Sequence, residues 1–180
     1  NISLEQNYVF IGKPNNGDIT LTLSAGNDFL IGNPYASAID ADEFINDNIS
    51  VADGGRAASN IIDGALYFWE HFASSTHVLK EYQGGYGTYT KEGGVKAISN
   101  DSRINANGGE GTKIPQKYIP VSQGFFVTAD AGGTVSFKNS QRIFKTEAND
   151  ARSQMPILKK KRKITSSSTS PKNNDPYFKC

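Results

Sequence analysis

The stretch Asp18-Ile19-Thr20-Leu21-Thr22-Leu23-Ser24 alternates apolar and hydroxyl-bearing side chains with a period of two. Successive side chains of a strand point to opposite faces, so Ile19, Leu21 and Leu23 share one face and Thr20, Thr22 and Ser24 the other. That is the signature of a half-buried strand. Short apolar or alternating runs recur at 8–12, 29–31, 65–72, 118–121, 123–129 and 134–137. Turn chemistry separates several of them. Lys13-Pro14-Asn15-Asn16-Gly17 predicts a hairpin between 8–12 and 18–24, and Asp130-Ala131-Gly132-Gly133 predicts another between 123–129 and 134–137. The run Ala65-Leu66-Tyr67-Phe68-Trp69-Glu70-His71-Phe72 is apolar on both faces, as expected of a central strand in a packed sandwich. A further strand is expected to begin near Gly87, after a Gly- and Tyr-rich loop, and 100–111 reads as a long polar loop around Asn107-Gly108-Gly109. Residues 38–46 read as one short helix. The fold class is all-β: an antiparallel, jelly-roll-like β-sandwich with a short helix and long loops.

Length and charge set the organisation. A chain of 180 residues is enough for one domain with a sizeable core, here placed at 1–150. From Lys145 onward apolar periodicity stops, and Lys159-Lys160-Lys161-Arg162-Lys163 runs into Ser166-Ser167-Ser168-Thr169-Ser170-Pro171. Residues 151–180 therefore read as a basic, Ser-rich linker or tail. The basic run has the pattern of a nucleic-acid patch, but a formal net charge of +1 gives no overall pull toward nucleic acid or an anionic membrane. No nucleic-acid partner is expected. No apolar run approaches the roughly 20 residues that span a bilayer, so no membrane insertion is expected either. Cys180 is the one cysteine, which rules out an internal disulfide and leaves no Cys/His spacing for zinc. A chain opening on Asn1 and closing inside a polar stretch is expected to be a piece of a longer protein.

The segment Leu30-Ile31-Gly32-Asn33-Pro34-Tyr35 carries three residues of special backbone preference in a row. Gly tolerates positive φ, Pro fixes its own φ and pushes Asn33 toward an extended conformation, and Asn can bond its own backbone. Small residues and alternating acids follow, from Ala36 to Asp42.

These motifs carry a resemblance when taken in order. Asn15-Asn16-Gly17-Asp18-Ile19, Leu30 to Asp42, Leu66-Tyr67-Phe68-Trp69-Glu70-His71, Tyr86-Gly87-Thr88-Tyr89, Tyr118-Ile119-Pro120, Gln123-Gly124-Phe125-Phe126-Val127 and Val135 to Arg142 resemble a recurring β-rich module of secreted and cell-surface Bacteroidota proteins. That module usually lies just before the C-terminal domain that directs export through the type IX secretion system. The resemblance covers roughly 8–150. It implies an extracellular or cell-surface location and, through a flanking region, the type IX machinery as a partner. It brings no catalytic activity with it.

Candidate sites are few. Asp40, Asp42, Glu43 and Asp47 could offer oxygen ligands to calcium, although their spacing is not that of an EF-hand loop and acids at a helix start also complement its dipole. No other cofactor is suggested. Tyr82, Tyr86 and Tyr89, beside Gly84, Gly85 and Gly87, are the candidates for a glycan-binding surface, with cross-strand packing as the structural alternative. Tyr67 and Trp69 belong to the same chemistry, but their apolar run assigns Trp69 to the core. Glu70 and His71 are neighbours on a strand and face opposite ways, so they form no dyad. Nucleophile elbows, zinc motifs and phosphate loops are all missing from the sequence. The expected function is a non-catalytic structural or adhesion module, a spacer or presentation domain. A carbohydrate-binding module using the surface tyrosines is the alternative.

Overall fold

The computed structural model describes residues 11–73, 83–98 and 110–145. The expected strand at 8–12, Tyr82, His77, the loop at 99–109 and the basic tail lie wholly or largely outside them.

Ten strands form three antiparallel sheets. β1 (Ile19–Leu23) pairs with β9 (Gly133–Phe137), with Leu21 opposite Val135. β3 (Ala38–Asp40) lies between β10 (Arg142–Ile143) and β7 (Tyr118–Ile119). The largest sheet runs β2 (Asp28–Gly32), β8 (Gly124–Thr128), β4 (Leu66–Ala73), β5 (Gln83–Thr90), β6 (Gly93–Ile98). The fold is all-β and sandwich-like, with one α-helix, α1 (Ala41–Asn48). Among the described residues no helix is long and apolar enough to cross a membrane.

One core joins the three sheets and the helix. Leu66 and Phe68 of β4, Phe125 and Val127 of β8, Val135 and Phe137 of β9 and Ile39 of β3 all point into it with Phe44 and Ile45 of α1. Phe44 is the bridge. Its ring centroid lies 4.8 Å from that of Phe137 and 5.6 Å from that of Phe125, and Phe125 meets Phe68 at 5.7 Å. Edge-to-face and tilted ring contacts of this kind add to the burial of apolar area.

Three expectations need correction. Residues 38–46 are not one helix: 38–40 form β3, because β7 and β10 supply hydrogen-bonding partners on both sides. The helix starts only at Ala41, where Asp40 Oδ1 accepts from the backbone N–H groups of Asp42 at 3.0 Å and Glu43 at 3.4 Å, an N-cap. The turn at 130–133 does not close a hairpin, since β8 and β9 belong to different sheets and the chain crosses between layers there. The strand expected near Gly87 begins earlier, at Gln83, because β4 pairs with it along its length.

The Gly-Asn-Pro-Tyr segment is scaffold. Asn33 is buried, and its Nδ2 donates to the carbonyls of Ser37, Ile119 and Pro120 at 2.8, 3.2 and 3.0 Å, while Oδ1 accepts from Tyr35 N. The Tyr35 hydroxyl donates to Gly17 O at 2.7 Å, and the Arg142 guanidinium lies over its ring. The turn after β2 is thereby tied to β7, β10 and the segment before β1.

Candidate functional site: an aromatic face on the largest sheet

β4 sorts its side chains by parity. Leu66, Phe68 and Glu70 are buried, whereas Tyr67, Trp69 and His71 stand on the opposite, outer face. The register extends that outer face across the sheet. Leu30 lies opposite Phe126, Phe126 opposite Tyr67, Tyr67 opposite Thr88 and Thr88 opposite Val95. In the next row Trp69 lies opposite Tyr86 and Tyr86 opposite Ile98.

Trp69 is therefore not a core residue. It is 38% exposed, Tyr86 is 42% exposed, and Leu30, Val95 and Ile98 on the same face are exposed as well. The run 65–72 is apolar on both faces because its outer face carries an aromatic cluster. The Trp69 and Tyr86 centroids are 5.0 Å apart at 67°, and Tyr86 and Phe126 are 5.5 Å apart at 83°. The indole occupies space that only a glycine leaves open: a Cβ on Gly84 would lie 2.5 Å from Trp69 Cζ2.

Beside the rings is a shallow groove of about 190 Å³, lined by Asp28, Tyr67, Tyr86, Phe126 and Thr128. That volume is below the usual range of roughly 300–1,000 Å³ for pockets that enclose a small molecule, so the groove grips part of a ligand. Thr128 Oγ1 donates to Asp28 Oδ1 at 2.7 Å, and the Tyr67 hydroxyl donates to Asp63 Oδ2 at 2.6 Å. Burial, reinforced by the Asp63 hydrogen bond and charge, pushes the Tyr67 hydroxyl up to about 12. It stays protonated at physiological pH.

Of the tyrosines expected to bind glycans, only Tyr86 stands on this surface. Tyr89 is 5% exposed and part of the core, on the inner face of β5 opposite Leu66, and its hydroxyl donates to Asp42 Oδ1 at 2.9 Å. Alternation places it there: from Tyr86 to Tyr89 the chain moves three residues and changes face. Tyr82 lies outside the described residues. Phe126, Thr128 and Asp28 escaped the sequence reading. Their signal was the parity of 124–128, where Phe125 and Val127 point inward and leave Phe126 and Thr128 outside.

The acids proposed for calcium are divided between two sets of protein cations. Lys117 Nζ lies 3.2 Å from Asp40 and 2.9 Å from Asp42. Arg56 reaches Glu43 at 2.7 Å and Asp47 at 3.0 Å, and Lys138 pairs with Asp47 at 3.3 Å. Hydrogen bonds from Asp42 and Asp40 raise the Lys117 ammonium above its ordinary range despite desolvation. Among the described residues no group of three or more His, Cys, Asp or Glu side chains is placed to hold a metal ion.

Glu70 and His71 diverge as their adjacency requires. The Glu70 carboxylate is buried and accepts from Thr112 N, Thr112 Oγ1 and Lys113 N at 3.2–3.3 Å, which ties the segment after Glu110 to β4. A Cβ on Gly111 would collide with Glu70 Oε2. His71 is exposed on the other face.

This all-β fold with an outward aromatic face defines a non-helical surface module, and residues 2–166 place it in a family: the chain belongs to Domain of unknown function (DUF8693). No curated protein matches it, and no solved structure does.

Proposed function

We propose that the chain is a non-catalytic recognition and adhesion module of an exported cell-surface protein, and that its outer aromatic face binds carbohydrate. The observation that carries the carbohydrate reading is the row of Trp69, Tyr86 and Phe126 beside a groove edged by the polar groups of Asp28, Tyr67 and Thr128. Saccharides have apolar C–H faces that pack on aromatic rings and hydroxyl edges that need hydrogen-bond partners, and this surface offers both. The resemblance to modules that precede type IX sorting domains supports an extracellular or cell-surface setting, with the export machinery engaged through a flanking region. Spacer and presentation roles follow from the same sandwich.

Trp69 is the chain's one tryptophan, so intrinsic fluorescence reports on the site directly. Titration with soluble neutral polysaccharides such as xyloglucan and glucomannan is expected to change its emission and to retard the protein in affinity electrophoresis. A Tyr86→Ala/Phe126→Ala variant with unchanged far-UV circular dichroism is expected to lose both responses. Equal retardation of variant and wild type would remove the aromatic face from the binding site, and no response to any saccharide would leave only the spacer role.

A further inference from the structure

We infer that the groove selects neutral or amine-bearing saccharides and rejects uronate-bearing ones; this rests on the carbohydrate reading of the same face. The argument turns on which hydrogen-bonding capacity the groove has left to give. Its two hydroxyl protons are already used: Thr128 donates to Asp28, and Tyr67 donates to Asp63. What faces a ligand is acceptor capacity, in the hydroxyl oxygens of Thr128 and Tyr67 and the remaining lone pairs of Asp28. Such a site suits ligands that donate.

Sugar hydroxyls donate, and an ammonium group donates with a favourable charge. A uronate carboxylate only accepts, and it brings a negative charge toward Asp28. The groove lining contains no cationic side chain that would reverse this preference. Ion pairs among the described residues involve Asp40, Asp42, Glu43 and Asp47, so Asp28 and Asp63 keep their charge facing hydroxyl and amide donors. Discrimination is therefore built into the polar edge, while the rings supply contact area for any sugar.

Affinity electrophoresis and Trp69 fluorescence against xyloglucan, chitosan oligosaccharides and polygalacturonate, at low and at physiological salt, test this. Wild type is expected to be retained by the first two and not by polygalacturonate. Asp28→Asn is expected to strengthen polygalacturonate retention about two- to fivefold at low salt, the scale of an exposed charge interaction, and less at high salt. Polygalacturonate retained by wild type as strongly as xyloglucan would overturn the selection and leave the aromatic-face reading standing. If no probe of either charge is retained, the aromatic-face reading fails and the selection falls with it.

Discussion

Asn48 shows how much a single buried amide can organise. It is fully buried at the end of α1, where Nδ2 donates to Phe44 O at 2.8 Å and to Ser136 O at 3.2 Å, and Oδ1 accepts from Ser136 N at 2.8 Å. The helix is thereby fastened to β9. Replacing Asn48 with Ala leaves the Ser136 N–H without this acceptor, and buried unsatisfied groups cost about 1–3 kcal/mol each. Urea unfolding of Asn48→Ala is expected to show a loss of that size with an unchanged m-value; a loss below about 0.5 kcal/mol would mean another acceptor takes over. Asp47, one residue earlier, links charge to stability. Burial pushes its carboxyl up, but the Gln141 amide, the Arg56 guanidinium and the Lys138 ammonium outweigh that and hold it below the usual range. A depressed folded-state pKa stabilises the native state above the unfolded value, near 3.9, and the contribution fades as pH falls through the folded-state value. Asp47→Asn is therefore expected to be less stable than wild type at pH 6, with the gap closing below pH 4. A gap that stays constant from pH 6 to pH 2.5 would show that the charge of Asp47 does not contribute.

At the scale of elements, β4 and β5 form the site by pressing an indole against a glycine. Gly84→Ala puts a methyl group into space that Trp69 occupies, so the indole must move, although the strand itself accepts alanine readily. The expected result is a shifted tryptophan emission maximum and weaker saccharide binding, with stability changed by no more than about 1 kcal/mol. An unmoved emission maximum would show that the sheet yields instead of the ring. Alternation made β1, β8 and β9 legible in the sequence, because one face of each meets the core and the other meets solvent. It could not show that β3 is a strand, since 38–40 owe their conformation to β7 and β10, far away in the chain. Nor could it distinguish a central strand from one whose outer face bears exposed rings, which is why Trp69 reads as core from its neighbours alone. Tyr86 was legible beside its glycines, whereas Phe126, Thr128 and Asp28 join it only through cross-strand register.

Across the whole molecule, negative charge is balanced by side chains that come from distant parts of the sequence. Lys117 precedes β7 and meets Asp40 and Asp42 at the start of α1, while Arg56 and Lys138 approach Glu43 and Asp47 from the segments after α1 and after β9. The sequence displays the four acids as a cluster, and only the fold brings the cations to them. A hard cation such as calcium wants six to eight oxygens in one shell, and an ammonium or guanidinium already occupying a carboxylate competes for that position. Each acid also has a structural task, as helix cap, partner of Tyr89 or partner of Gln141. The fold should then need no metal to hold this region together. Thermal unfolding in excess EDTA is expected to give the same midpoint as in millimolar calcium, within about 1 °C. A bound ion with calcium at a hundred times its dissociation constant would contribute about 2.7 kcal/mol, which for a domain of this size moves the midpoint by several degrees. A fall of that size in EDTA, restored by calcium but not by magnesium, would show that the acids are shared with a cation after all.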